Sequence, residues 1–188
     1  MSAQPKPFVS PEEYLERERK AETKSEYYNG EILAMSGGSP RHSLIAANLV
    51  RELGNALKGT GCLVFNSDLR VHVQANGLYT YPDVSVVCGD NRLLDEDGDV
   101  LATPVLLVEV LSPSTEHYDR GQRFALYRGL ETLREYVLVA QERRSVEVFR
   151  KNDAGRWELY EPDAEGTVEL ASVGCVLRVE EVYANVPF

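Results

Sequence analysis

Two short stretches of the chain are apolar at nearly every position, and each is tied to one carboxylate. Asp83 leads into Val84-Ser85-Val86-Val87-Cys88, and Glu109 sits inside Leu106-Leu107-Val108-Glu109-Val110-Leu111. Short continuous apolar runs bounded by turn signals read as strands covered on both faces. Predicted boundaries are residues 83–88 and 104–111, with Ser112, Pro113, Ser114 and Thr115 breaking the second run. Elsewhere the pattern changes period. Ser10-Pro11-Glu12-Glu13 combines a capping Ser, a first-turn Pro and early acids, which predicts a helix running toward Lys24. Asn29-Gly30 between strand-like residues predicts a hairpin, because a type I′ turn needs positive φ at both central positions. Leu44, Ile45, Asn48, Leu49, Leu53 and Leu57 recur at helical spacing, predicting a helix over residues 40–58. Further strands are expected at 62–65, 69–73, 136–140, 145–150 and 157–160, with 168–170 extending the same sheet. A helix is expected at 119–130 and an acidic loop at 89–98.

This mixture predicts an α/β (α+β) layered fold, a mixed sheet flanked by helices, preceded by an N-terminal helix and hairpin. The 188 residues fit a single domain spanning the whole chain, with residues 1–10 as a flexible N-terminus. There is no long apolar segment and no secretory-type apolar region after Met1, so a cytoplasmic protein without membrane association is expected. The three cysteines, Cys62, Cys88 and Cys175, sit among apolar or small residues with no CxxC pair, which reads as buried reduced thiols. The three histidines, His42, His72 and His117, are too scattered for a zinc site. The formal net charge of −10 argues against a dedicated sequence-specific DNA-binding module, since phosphate contacts draw affinity from basic faces.

The chemical signal is the pair of acids. A buried ionised carboxylate must neutralise, pair or bind a cation. Glu109 alone is equally well read as a strand residue paired to an Arg, and Asp83 alone reads first as a turn residue at a strand entry. If their strands pair, the two carboxylates converge, and a divalent cation relieves their repulsion. Hard oxygen ligands at a solvent-open edge suit Mg²⁺ or Mn²⁺, and such an ion activates water and stabilises charge on a phosphoryl group.

Several blocks resemble the Uma family ("putative restriction endonuclease"), a branch of the PD-(D/E)XK nuclease superfamily. They are Glu22-Thr23-Lys24-Ser25-Glu26-Tyr27 with Gly30-Glu31-Ile32; Tyr81-Pro82-Asp83-Val84; Val108-Glu109-Val110-Leu111-Ser112-Pro113-Ser114-Thr115; Asp119-Arg120-Gly121 with Tyr127; and Leu133-Arg134-Glu135-Tyr136. The likeness runs from about Pro11 to about Tyr183. It implies a restriction-endonuclease-like core, a Mg²⁺-dependent activity on DNA phosphodiesters, Asp83 and Glu109 as catalytic metal ligands, and Glu31 as a further active-site acid. The superfamily lysine two residues after the Glu is replaced by Leu111. Members resembling this chain place a lysine on the following helix, where this sequence has Arg123. Arginine keeps the charge and can clamp a phosphate, but it stays protonated and cannot act as a base. His42 matches a family histidine at a helix start and is a candidate phosphate contact alongside Arg123.

Two functions follow. One is a metal-dependent endonuclease in which Arg123 stabilises the phosphate. The other is a weakened or inactive nuclease-fold protein that binds nucleic acid or a partner, with Arg123 serving only as an ion pair. A hydrolase of the same fold acting on RNA or in repair is a duller third option. Cutting both strands of a duplex would favour a homodimer.

Overall fold

The computed structural model describes residues 8–35, 37–89 and 98–188. Most of the expected flexible segment 1–10, and of the expected acidic loop 89–98, lies outside the described residues. In chain order the elements are α1 (Pro11–Glu18), β1 (Ser25–Tyr28), β2 (Glu31–Ala34), α2 (Pro40–Ala56), β3 (Cys62–Asn66), β4 (Arg70–Val73), β5 (Leu78–Thr80), β6 (Val84–Cys88), β7 (Val100–Leu101) and β8 (Leu106–Leu111). After β8, α3 (Glu116–Tyr118), a π-helical turn (Asp119–Arg123) and α4 (Phe124–Tyr127) follow one another directly. Then come β9 (Glu135–Ala140), β10 (Val146–Lys151), β11 (Trp157–Tyr160), β12 (Thr167–Leu170), β13 (Cys175–Arg178) and α5 (Val179–Val182).

The central layer is a six-stranded sheet in the order β11-β10-β9-β8-β6-β3. Only β8 and β9 pair in parallel, joined by the α3–α4 segment as a crossover; the other neighbours are antiparallel. Alternation along the strands sorts their side chains onto two faces. Val84, Val86, Leu106, Val108, Val110, Val137 and Val139 face α2, the β12–β13 hairpin and α5, where Ile45, Leu49, Leu53, Leu170 and Tyr183 complete one core. Val87, Leu107, Leu111, Tyr136 and Leu138 face the other way, against Leu126, Tyr127, Leu130 and Leu133 and against Val71, Val73 and Leu78. Covering both faces explains why β6 and β8 read as unbroken apolar runs.

A second, five-stranded sheet, β2-β1-β5-β4-β7, supplies part of that second face. Helix α1 packs on it through Tyr14, which meets Tyr27 and Tyr79 in a small aromatic cluster with Val9. The Asn29-Gly30 turn has φ of 49° and 83°, as a two-residue hairpin demands. Its register places Glu26 opposite Leu33 and Tyr28 opposite Glu31.

Three expectations need correction. Helix α1 ends at Glu18, well before Lys24, because the Glu18 carboxylate turns back to accept from Ser25 N and Ser25 Oγ and so fixes the start of β1. Residues 168–170 do not extend the main sheet; they form a separate two-stranded sheet with β13. This hairpin is held down by Glu135, fully buried, whose carboxylate accepts from Arg150, Ala171 N and Ser172 N. Cys62 and Cys88 are not reduced thiols. They stand directly opposite each other on β3 and β6 and are joined as a disulfide, whereas Cys175 is free. No helix among the described residues is long and apolar enough to cross a membrane.

Candidate active site

Strand pairing brings the two acids together. Val84 pairs with Val108, so one step along the ladder sets Asp83 opposite Glu109. Opposed positions on antiparallel neighbours have Cα atoms about 5 Å apart. Pro82 immediately before Asp83 offers no backbone N–H, and the ladder stops there. Asp83 Oδ2 instead accepts from Val110 N at 2.8 Å, which ties its carboxylate to the strand carrying Glu109. The same oxygen lies 3.1 Å from His42 Nε2 in the first turn of α2. Both acids and His42 open onto one cavity of about 630 Å³.

Glu109 is deeper, 6% exposed, and its Oε1 accepts from the Tyr127 hydroxyl at 2.6 Å. Arg123 is the main cation facing it. Arg123 Nη1 lies 3.3 Å from Glu109 Oε1, 2.8 Å from Glu26 Oε1 and 3.0 Å from Thr80 Oγ1. Its Nε lies 2.8 Å from Asp119 Oδ1, but the N–H points off that oxygen and forms no hydrogen bond. The Tyr118 ring lies 4.9 Å from the guanidinium carbon. The π-helical turn that carries Asp119 and Arg123 widens the helix at this point, a distortion common at functional sites.

Charge is finely balanced here. Burial pushes the Glu109 carboxyl well above the usual carboxylate range; Arg123 pulls it back, and Asp83 adds to the rise. Burial also raises Asp119, against the pull of Arg123. Burial opposes the Arg123 charge, yet Glu109, Tyr127, Glu26 and Asp119 together hold its pKa above the ordinary value. The hydrogen bond to Asp83 raises His42, against the effect of burial.

Of the residues singled out in the sequence, Asp83, Glu109, His42 and Arg123 all line the cavity. Glu31 does not: it is exposed at the turn end of β2. Alternation puts it on the same hairpin face as Glu26 and Leu33, two pairs further toward the tip. The acid that this hairpin delivers is Glu26, 6% exposed, whose Oε1 accepts from Thr80 Oγ1 at 2.5 Å. The register of an Asn-Gly hairpin was the available signal, since it pairs Glu26 with Leu33 and turns both toward one side. Asp119 stands in the Asp119-Arg120-Gly121 block, though nothing there gives it a role, and Thr80 carries no comparable sequence signal. Tyr127 reads as a core residue from its helical spacing; it is fully buried, and its hydroxyl also serves Glu109.

The donor set suits a hard cation in one specific sense. Among the described residues no group of three or more His, Cys, Asp and Glu side chains is disposed to hold a metal ion. Two carboxylates with water and substrate oxygens completing the sphere is a usual arrangement for Mg²⁺; Asp83 and Glu109, cross-strand neighbours on one cavity, supply that number of carboxylates.

Comparison with known proteins agrees with this architecture. The model of the Uma2 family, "Putative restriction endonuclease", matches residues 11–180. An uncharacterized Synechocystis protein, slr1290, is 40% identical over 184 residues, covering 98% of this chain and 96% of its own length. A second, sll1609, is 36% identical over 149 residues, covering 79% and 84%. A solved structure from Anabaena variabilis, described as a putative nuclease belonging to DUF820, superposes with a TM-score of 0.74 at 20% identity, covering 94% of this chain and 98% of that one. The fold is therefore the restriction-endonuclease-like α+β fold.

Proposed function

The chain belongs to the Uma2 family, and on that premise we propose that it is a divalent-metal-dependent nuclease that hydrolyses DNA phosphodiester bonds. The observation that carries the reading is the ladder position of the acids: Asp83 and Glu109 are cross-strand neighbours that open into one cavity. Arg123 carries one positive charge against the carboxylates of Glu26, Glu109 and Asp119, with Asp83 nearby, so it does not offset them all. A divalent ion relieves that excess, and Asp83 and Glu109 are the residues that would hold it. When bound, Mg²⁺ or Mn²⁺ supplies a water of lowered pKa and a Lewis acid for the phosphoryl oxygens.

The protein's own groups account for the rest. Val110 N fixes the Asp83 carboxylate, and Tyr127 fixes that of Glu109, so neither acid has to reorganise. His42 Nε2 lies beside Asp83 at the start of α2, where a protonated imidazole and the positive end of the helix both favour a phosphate. Arg123 keeps its charge but is enclosed by Glu26, Glu109 and Asp119, so it orients the acids and does not remove a proton. Glu31 has no role in this scheme.

A plasmid-nicking assay with Mg²⁺ or Mn²⁺ tests the reading. Wild type should nick, and Asp83→Ala and Glu109→Gln should each lower the rate at least a hundredfold, the scale of losing a group that stabilises the transition state. Nicking that survives both substitutions would show the hydrolysis to come from elsewhere. The second reading, a binding protein of the same fold without turnover, draws on Leu111 and Arg123 standing where the family pattern expects or places a lysine. It predicts DNA binding with no metal-dependent cleavage.

A further inference from the structure

We propose that this site accepts one unpaired nucleotide at a time, so that its substrate is single-stranded or locally unpaired DNA and not an intact duplex; this rests on the nuclease reading and narrows it. The first ground is the form of the cavity. Its walls come from the β1–β2 hairpin, the start of α2 and the residues before it, the entry to β6, the end of β8, the loop at 112–115 and the helical segment at 118–123. Its volume of about 630 Å³ falls within the roughly 300–1,000 Å³ that encloses one small organic group. A base paired within a duplex cannot enter such a recess without leaving its partner, whereas an unpaired base can.

The second ground is how the walls differ. Asp83 and Glu109, from β6 and β8, make the sheet side acidic, while Leu33, Ala34 and Met35 of the hairpin add an apolar stretch beside Glu26, with Tyr118 presenting a ring. Leu33 is 42% exposed on the edge strand of its sheet, an apolar side chain standing at the mouth. This pairing of characters matches one nucleotide: the phosphodiester, with its ion, toward the acids, and the base against the apolar and aromatic side. Bases stack on such surfaces with little regard to sequence.

The third ground is the charge around the mouth. Duplex binders hold both backbones through many cationic contacts. Among the described lining residues only His42 and Arg123 are basic, and both already face carboxylates. Arg41, next to His42, is paired with Glu142 at 3.0 Å. The formal net charge of −10 adds no general attraction toward a duplex. A site that grips one or two phosphates needs none.

The test uses the full chain and end-labelled 20-mers of one sequence: a single strand, a matched duplex, and a duplex with a central four-nucleotide bulge. Cleavage is followed with Mn²⁺, and binding by fluorescence anisotropy with Ca²⁺ in place of Mn²⁺ over a range of salt. The single strand and the bulge should be cut at least tenfold faster than the matched duplex and bound at least tenfold tighter. The logarithmic salt slope for the single strand should be about 1.5 or less, as for about two phosphates. Leu33→Ser, at an exposed position, should weaken single-strand binding about fivefold with an unchanged melting temperature. If nothing is cut but the single strand is still preferred in binding, the hydrolytic reading fails and this inference stands. If the duplex is cut or bound as well as the single strand, or if no oligonucleotide binds, the inference is overturned.

Discussion

Arg123 is the residue on which the interior of the site depends. Three carboxylates, from β1, β8 and its own helical turn, surround its guanidinium, and Thr80 shares the same nitrogen as Glu26. Removing one member of a buried ionic cluster leaves the others uncompensated, typically at a cost of about 3–5 kcal/mol. Arg123→Ala should therefore lower the melting temperature on the order of 10 °C in a scanning-calorimetry comparison with wild type. A change of only a degree or two would mean that the cluster is already neutral. Tyr127→Phe asks a milder question, because it deletes only the hydroxyl bonded to Glu109. The expected loss is about 1–3 kcal/mol, the cost of leaving a buried acceptor short of a donor. His42 provides the pH dependence. Its folded pKa is raised above 6.5 by Asp83, so the pair stabilises the fold fully below that value, and the contribution fades as pH rises through the folded pKa. Protonated His42 also competes with a divalent ion for Asp83. Mn²⁺ affinity should thus climb as pH rises through the raised folded pKa of His42, and His42→Asn should flatten the climb.

At the scale of elements, legibility followed periodicity. Helix α2, the Asn29-Gly30 hairpin and strands β6 and β8 were readable because each obeys one local rule: helical spacing, turn chemistry or an unbroken apolar run. Asp83 and Glu109 could be found for the same reason, as charges that break such a pattern. What the sequence concealed depends on distant partners. The end of α1 is set by Glu18 reaching Ser25, the separate β12–β13 sheet by Glu135, and the disulfide by the register of β3 on β6. Glu26 is half legible: the hairpin register gives its side, but its meaning comes from Arg123, far along the chain. The crossover segment is anchored in a similar way: Arg120 meets Glu147 of β10 with two hydrogen bonds, at 2.6 and 2.8 Å. That contact lowers the Glu147 pKa, so its stabilisation is complete above about pH 4.5 and is lost as acid protonates the carboxylate. Glu147→Gln should cost about 1 kcal/mol at neutral pH in a urea titration, and the difference from wild type should vanish in acid.

For the whole molecule, the six-stranded sheet is a partition between two apolar cores, and the site lies where β6 and β8 leave it at one end. The Cys62–Cys88 disulfide joins the edge strand β3 to that partition across a sequence separation of 26 residues. A crosslink of that span typically stabilises by about 3 kcal/mol through the unfolded chain. Cys62→Ser should accordingly unfold at a lower urea midpoint, by the same amount as reduction of the wild type. All of the proposed chemistry rests on one ion being shared by two strands of this partition. Titration calorimetry with Mn²⁺ on the metal-stripped protein addresses that most directly. The account predicts one site per chain in the wild type, abolished by Asp83→Asn while the fold is retained. Heat of binding that is absent from the wild type, or unchanged in the variant, would contradict it.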